Sequence, residues 1–152
     1  MKLLENKVAL ITGGSRGIGK SIVEKFVSNG CNVAFTYNKS ESDAKLIESN
    51  LSEKDLKIKA YKSNAAKYEE AEILINSVVN EFGKIDILVN NAGITKDNLL
   101  MRMSEDDFNQ VLNINLNSVF NMTKAVQREF LKNRYGSIIN ISSVVGIKGN
   151  AG

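Results

Sequence analysis

The sequence predicts an α/β domain built on a doubly wound parallel sheet. Strand-like and helix-like hydrophobic patterns alternate along the chain, and a glycine or a capping residue marks the changes between them. The strands are apolar on both sides, which is typical of parallel sheets with helices on both faces. With 152 residues, 43% of them hydrophobic, the chain suits one domain over residues 1–152 with a sizeable core.

The first half of the chain predicts three strands and two helices. The apolar run at 8–11 predicts the first strand, and residues 32–37 and 57–62 predict the second and third. The helix between the first two has Gly30 just past its end as a left-handed cap, and its apolar face comprises Ile22, Val23, Phe26 and Val27. Ser40 and Asp43 predict a capping box for the next helix, whose apolar face comprises Ala44, Ile47 and Leu51.

The second half predicts a helix, a strand, a long helix and a fifth strand. Gly83 ends the first of these helices, whose apolar stripe comprises Ala71, Leu74, Ile75, Val78, Val79 and Phe82. Residues 85–89 and 137–141 predict the fourth and fifth strands. Ser104 and Asp107 predict the cap of a long helix with one face formed by Phe108, Val111, Leu112, Asn115, Val119, Met122 and Val126.

The glycine-rich segment at residues 12–19 is the most informative part of the chain. It spaces its glycines as Gly13-x-x-x-Gly17-x-Gly19 and lies between a strand and a helix. Glycines let the backbone approach phosphate oxygens, and the N–H groups and dipole of the following helix receive negative charge. The segment therefore predicts a site for a dinucleotide pyrophosphate, with an ordinary structural turn as the alternative.

A second motif, Asn90-Asn91-Ala92-Gly93, follows the fourth strand. Its amides could bond neighbouring backbone while its glycine lets a ribose approach, although Asn and Gly are also common turn residues. Ligands of doubly wound sheets bind at the carboxyl ends of the strands. Both motifs lie at such ends.

The two motifs, in this order, resemble the T-G-x-x-x-G-x-G and N-N-A-G motifs of the short-chain dehydrogenase/reductase family. The resemblance covers the whole chain and implies the first five strands of a Rossmann-type fold. The segments at 93–103, 113–116 and 142–146 resemble the 3-oxoacyl-acyl carrier protein reductases, which reduce β-ketoacyl thioesters with NADPH in fatty acid biosynthesis. There are two alternatives. The chain could be another short-chain dehydrogenase, acting on a sugar, steroid or small ketone, or it could be a nucleotide-binding module without catalysis.

Charge after the second strand favours NADPH over NADH. Enzymes of this architecture that use NAD place an acid there, whereas this chain has no acid before Glu41. Arg16 and Lys39 could meet a 2′-phosphate, or they could be solvated surface cations. With the family resemblance, the expected cofactor-binding residues are Gly13, Ser15, Arg16, Gly17, Ile18, Gly19, Asn38, Lys39, Asn64, Ala65, Asn90, Asn91, Ala92 and Gly93.

Two residues match the family's catalytic positions. Asn115 would be a polar exception on an apolar helix face, and a buried amide needs protein or water partners. It is either a satisfied core residue or the family's asparagine, which helps to hold a proton-relay water. Ser143 either turns the chain or donates a hydrogen bond to the substrate carbonyl.

The chain departs from the family pattern after Ser143. The family's proton donor is the tyrosine of a Tyr-x-x-x-Lys motif, and no such motif follows; the chain stops at Gly152. Tyr37, Tyr61, Tyr68 and Tyr135 lie in the wrong patterns to replace it. We therefore expect the domain to be C-terminally incomplete and the 152-residue chain to have little or no reductase activity.

Composition limits the partners. The net charge of +3 is scattered, without the basic block typical of nucleic-acid binding. The lone Cys31 is expected to be buried, and no metal site, signal peptide or membrane-length apolar run is predicted, so a cytoplasmic location is the default. The resemblance implies acyl carrier protein as a partner and a homotetramer in the full-length protein. Lys132 and Arg134 are candidate docking cations near the pocket mouth, or cations at a helix C-terminus.

Overall fold

The computed structural model describes residues 2–51 and 55–149 and contains one five-stranded parallel sheet. In the order β3-β2-β1-β4-β5, the strands are numbered along the chain as β1 Val8–Ile11, β2 Asn32–Tyr37, β3 Ile58–Lys62, β4 Ile87–Asn90 and β5 Ser137–Asn140. The predicted fold class is confirmed. The largest difference in strand bounds is at β4, which was expected from residue 85 and begins at Ile87.

Helices connect the strands and follow the last of them. Their bounds are α1 Gly17–Ser28, α2 Glu41–Asn50, α3 Tyr68–Phe82, α4 Glu105–Leu112, α5 Ser118–Asn133 and α6 Val145–Lys148. A 3₁₀ turn at Leu100–Arg102 precedes α4, and a π-helical segment at Asn113–Asn117 joins α4 to α5.

Two apolar layers cover the two faces of the sheet. Because successive strand residues point to opposite faces, Ile11 packs with α1 and α2 while its neighbour Leu10 packs with α3 and α5. The helix residues of the first layer are Val23, Val27, Ala44 and Ile47, and those of the second are Ala71, Leu74, Ile75, Val78, Met122 and Val126. Each fully buried Leu, Ile or Val side chain contributes about 1.5–3 kcal/mol. Because helices cover both faces of the sheet, the strands do not alternate between apolar and polar residues.

The predicted long helix after Ser104 is present, since helical backbone runs without a break from Glu105 to Asn133, but the prediction that its apolar residues share one face is wrong. The π-helical segment lies between α4 and α5, and its wider turn shifts the helical register, so Phe108 and Leu112 do not share the buried face of α5. Met122 and Val126 are fully buried, but Phe108 and Leu112 are 54% and 39% exposed. A sequence period of 3.6 residues does not reveal such an insertion.

One of the two predicted capping boxes forms. The Ser104 hydroxyl accepts a hydrogen bond from the Asp107 N–H at 3.1 Å and donates to Asp107 Oδ2 at 2.8 Å. Ser40 precedes α2 but makes no side-chain capping bond. Its ψ is 62°, whereas Ser104 has the extended ψ of 155° that directs a side chain toward the third helical N–H. The Ser40–Asp43 prediction is therefore corrected.

Cys31 is fully buried, as predicted. Its Sγ donates to the Lys7 carbonyl at 3.4 Å, and burial raises the pKa of the thiol to about 12. Such a thiol stays protonated at neutral pH and packs as a small apolar group.

Candidate functional site

Loops from all five strands meet at the carboxyl edge of the sheet. The glycine segment follows β1, Asn38 and Lys39 follow β2, and Asn64 and Ala65 follow β3. The asparagine motif begins with the last residue of β4, and Ser143 lies three positions beyond β5. Every predicted cofactor loop therefore lies at the edge where doubly wound sheets bind ligands.

The glycine segment has the backbone that its sequence predicted. Gly13 and Gly17 have positive φ values of 68° and 54°, which favour glycine. A Cβ atom on Gly19 would overlap the carbonyl oxygen of Gly13 and approach Nδ2 of Asn91 to 2.6 Å. Helix α1 begins at Gly17 without an acidic residue in its first turn, so its unpaired N–H groups and dipole are available to an anion.

Thr12 and Asn91 join the glycine segment to the asparagine motif. The Thr12 hydroxyl accepts hydrogen bonds from the N–H groups of Asn91 and Ala92, both at 3.0 Å. The Asn91 amide donates to the carbonyls of Thr12 and Gly13 at 2.9 and 3.2 Å. Asn91 therefore acts here as a brace between loops. Thr12 was absent from the predicted site residues, although its place at the head of the motif was a usable signal.

Thr36 supports the same segment from β2. Its hydroxyl accepts from the Gly13 N–H at 3.0 Å and its carbonyl accepts from the Gly14 N–H at 2.9 Å. A Cβ on Gly14 would come within 2.6 Å of Phe35 Cβ, so the loop lies directly on this strand. Sequence reasoning missed Thr36, whose only signal is a hydroxyl near the end of an apolar strand.

The two cations proposed for a 2′-phosphate are both exposed. Arg16 is the N-cap residue of α1, and Lys39 lies in the bend after β2. Beside Arg16, a cavity of about 330 Å³ lies between the start of α1 and helix α2. Its charged lining comprises Arg16, Lys20, Glu24 and Asp43, of which Lys20 and Glu24 pair with each other, so Arg16 supplies the positive charge next to the start of α1. Positive charge next to free helix N–H groups suits an anionic ligand.

The loop after β3 is held by a carboxylate of α3. Glu70 Oε2 accepts from the Asn64 N–H at 2.7 Å, and this bond, followed by the Lys67 ammonium, lowers the pKa of Glu70. Asn64 Oδ1 accepts from the Ala66 N–H at 3.1 Å. The amide NH₂ of Asn64 has no acceptor among the described residues, so it can donate to a ligand.

Asn90 faces the neighbouring strand rather than the loops. Its side chain is buried, and its amide donates to Asn140 Oδ1 at 2.9 Å, across the register pair of β4 and β5. As the last residue of a central strand it is enclosed by the sheet. The side-chain amide of Asn90 therefore bonds one strand to the next, and the expected contact of this residue with a cofactor stays a prediction. Its Oδ1 and the hydroxyl oxygen of Ser63 are the buried side-chain polar atoms left without a partner in the described part of the chain.

Asn115 lies in the π-helical segment and forms hydrogen bonds to the loop after β4. Its Oδ1 accepts from the Ile94 N–H at 2.8 Å, and its Nδ2 donates to the Ile94 carbonyl at 2.9 Å. The expected protein partners are present, but Asn115 is exposed, so the expectation of a buried amide is wrong. The π-helical segment turns this residue away from the core, and π-bulges are frequent at functional sites.

Ser143 is exposed, and its Oγ accepts from the Val145 N–H at 3.2 Å. This bond leaves the hydroxyl proton free for another acceptor.

The tyrosines of the chain do not replace a proton donor. Burial and Glu81 raise the pKa of Tyr61, and burial and Glu72 raise that of Tyr68, whereas a proton-donating tyrosine needs a lowered pKa. Tyr37 ends β2, and the Tyr135 ring contacts Lys7, just before β1, at 4.0 Å. Of the terminal segment expected to lead toward the family tyrosine, residues 150–152 lie outside the described residues.

Lys132 and Arg134 lie at the opposite edge of the sheet from the site. They stand at the C-terminal end of α5, just before β5 begins, which is the amino edge of a parallel strand. Arg134 lines a cavity of about 730 Å³ there, next to Tyr135. The expectation that these cations flank the mouth of the chain's own site is therefore wrong, because α5 runs the full height of the sheet between them.

Several site classes find no support among residues 2–51 and 55–149. No group of three or more His, Cys, Asp or Glu side chains in these ranges is arranged to hold a metal ion. In the same ranges, no helix has the length and apolar character needed to cross a membrane.

Comparisons with known proteins agree with this geometry. The sequence profile of the short chain dehydrogenase family matches residues 7–152. The chain is 46% identical over 147 residues to the 3-oxoacyl-acyl carrier protein reductase FabG of Staphylococcus epidermidis and 48% identical over 149 residues to that of Vibrio cholerae. These alignments cover 97% and 98% of the chain, but only 60% and 59% of the two reductases.

The chain is also similar to solved structures of short-chain dehydrogenases. A short chain dehydrogenase from Burkholderia cenocepacia, crystallised in complex with NADP, superposes with a TM-score of 0.90 at 32% identity over 98% of this chain and 60% of its own. A double mutant of a Serratia marcescens short-chain dehydrogenase/reductase gives 0.85 at 35% identity, over 93% of this chain and 57% of its own. The chain spans about 60% of the length of the curated relatives reported above.

Proposed function

The chain belongs to the short chain dehydrogenase family, and from that premise we propose that the full-length protein uses NADPH to reduce 3-oxoacyl groups on acyl carrier protein to 3-hydroxyacyl groups, in fatty acid biosynthesis. The observation that carries the proposal is the 46–48% identity to reductases of this type along almost the whole chain. The proposal concerns the full-length protein, because those relatives are longer than this chain.

The residues at the carboxyl edge fit a bound NADPH. The positive φ of Gly13 and the crowding at Gly19 favour glycine at both positions, and the N–H groups at the start of α1 can receive the pyrophosphate. Arg16 and Lys39 supply positive charge for a 2′-phosphate, and the NH₂ group of Asn64 can donate to the adenine ring. When bound, NADPH supplies the hydride for the carbonyl carbon.

Ser143 and Asn115 act on the substrate side of the proposed site. The Ser143 hydroxyl, whose proton is free, donates to the substrate carbonyl oxygen and stabilises the negative charge that develops on it. Asn115 fixes the loop after β4 through Ile94, and its Oδ1 retains a lone pair that can hold a water in a proton relay. The proton that completes the alcohol comes from a third group, because neither Ser143 nor Asn115 donates it.

Kinetics on the full-length protein test the proposed function. We expect NADPH oxidation with an acetoacetyl thioester as substrate, and weak or no oxidation with NADH in its place. Turnover of a sugar, steroid or small ketone without turnover of the thioester would assign a different short-chain dehydrogenase activity. Binding of NADPH without turnover of any of these substrates would indicate a non-catalytic module.

The docking role of Arg134 stays a proposal. Acyl carrier proteins are acidic, and Arg134 is an exposed cation, but it lies at the edge away from the chain's own cofactor loops. In the full-length protein, Arg134→Glu should raise the KM for the carrier-bound substrate and leave the KM for NADPH unchanged. An unchanged KM for the carrier-bound substrate would remove Arg134 from the docking surface.

A further inference from the structure

Asn121 makes a buried hydrogen bond that the proposed chemistry does not use. It lies on α5 one residue before the fully buried Met122, and the residue is 7% exposed. Its Nδ2 donates to the carbonyl oxygen of Ala65 at 3.1 Å, although the two residues are 56 positions apart in sequence. A helix on one face of the sheet is thereby tied to the loop that follows β3.

The other bonds of this loop come from different elements. The Ser63 N–H donates to the Tyr37 carbonyl at 3.1 Å, at the end of β2. The Asn64 N–H donates to Glu70 of α3, and the Lys67 N–H closes the turn onto the Asn64 carbonyl at 3.0 Å. The bond from Asn121 adds a tie to α5 at Ala65, immediately beside Asn64.

The loop must move if this bond is lost, because the helix cannot. Met122 and Val126 fix α5 in the second apolar layer, where both are fully buried. Ala65 is 7% exposed, so its carbonyl would lack a partner unless the peptide turned toward water. Such a turn would displace Asn64 and Ala65 together.

We infer that Asn121 is a positioning residue that holds the Asn64–Ala65 segment in place for the adenine end of the cofactor. The inference rests on the proposed function, since it assigns a role toward NADPH. Asn121 acts through the Ala65 carbonyl, to which its Nδ2 donates. It therefore governs one end of the dinucleotide and leaves the nicotinamide end to the loops after β4 and β5.

Binding of cofactor fragments tests the adenine end and the nicotinamide end separately. In the full-length protein, Asn121→Asp removes the donor at nearly constant size, and Asn121→Leu replaces the amide by an apolar group. We expect both variants to bind 2′,5′-ADP and NADPH roughly tenfold more weakly than the wild type, and to bind reduced nicotinamide mononucleotide equally well, by calorimetry. Asn133→Ala is the control, because Asn133 is an exposed residue of the same helix whose amide donates to Glu129 at 2.7 Å.

The outcomes separate this inference from the proposed function. Failure of the wild type to bind either 2′,5′-ADP or NADPH would contradict the proposed function itself. Wild-type binding together with unchanged 2′,5′-ADP affinity in a folded variant would show that Asn121 has no positioning role. Equal weakening of all three ligands would indicate a general defect of the fold and would also overturn the inference. If the carboxylate of Asn121→Asp prevents folding, Asn121→Leu still tests the inference.

Discussion

At Gly19, a single methyl group would collide with the loop that precedes it. A Cβ there would overlap the Gly13 carbonyl oxygen, a backbone atom that cannot rotate away as a side chain could. We expect Gly19→Ala to lower the free energy of unfolding by about 1–3 kcal/mol and to weaken NADPH binding in the full-length protein, because the displaced loop no longer presents its N–H groups correctly. Chemical denaturation and calorimetric titration measure the two effects.

Gly146 provides a matched control for this substitution. A Cβ on Gly146 meets no atom within 4 Å, so Gly146→Ala should change the free energy of unfolding by no more than about 0.5 kcal/mol. Equal stability of the Gly19 and Gly146 variants would contradict the close packing at Gly19.

Single residues also show how far the sequence could predict the site. Glycine spacing predicted the tight backbone of residues 12–19, because glycine adopts positive φ values that other residues rarely adopt. The Asn91 amide bonds neighbouring backbone, as the motif predicted, but the partners of Asn90 and Asn91 were not foreseen. Their partners Asn140 and Thr12 lie 50 and 79 positions away, and a single sequence does not specify such pairings.

The start of α4 depends on one hydroxyl. The Ser104 hydroxyl accepts the Asp107 N–H, which otherwise has no partner in the first turn of the helix. Ser104→Ala should lower the free energy of unfolding by about 1 kcal/mol in chemical denaturation. Ser40→Ala at the start of α2 is the control, since Ser40 makes no capping bond, and its effect should be within about 0.5 kcal/mol. Equal effects of the two substitutions would mean that the capping bond contributes nothing.

The same helix end should make stability depend on pH. Lys96, at 2.7 Å, and then Ser104 lower the pKa of Asp107 below its usual 3.8. Since the unfolded carboxyl group takes up its proton first as the pH falls, the pair stabilises the fold above about pH 4 and is lost as the pH falls through the folded-state pKa. Asp107→Asn should therefore be less stable than the wild type at pH 7 and equally stable near pH 2, in denaturation at each pH. A difference in stability that stays constant across this range would refute the ion pair's contribution.

The junction between α4 and α5 shows why elements were predicted better than their details. Every predicted helix and strand is present, because hydrophobic periodicity reflects which side of an element is buried. The π-helical segment is different, since it adds part of a turn without a change in composition. Its consequence is the position of Asn115, which is exposed and bonds Ile94 instead of packing in the core.

The whole molecule has an apolar surface that the described fold does not cover. Along α4, the π-helical segment and α5, large apolar side chains recur every four residues, namely Phe108, Leu112, Leu116 and Phe120 at 54%, 39%, 62% and 63% exposure. Monomeric proteins seldom expose a continuous apolar stripe of this kind, which is typical of contacts between subunits. We expect a second copy of the chain to cover it and the full-length protein to form the homotetramer proposed from the family resemblance.

Replacing Phe120 by glutamate tests this assembly directly. A carboxylate buried in an apolar contact would lose its hydration, so Phe120→Glu should convert the proposed tetramer of the full-length protein into a smaller species. Light scattering after gel filtration measures the mass. Leu46→Glu is the matched control, because Leu46 is 58% exposed on α2, which packs on the other face of the sheet, and it should leave the mass unchanged. A monomeric wild type, or a Phe120 variant that keeps the wild-type mass, would rule out this stripe as the interface that holds the assembly together.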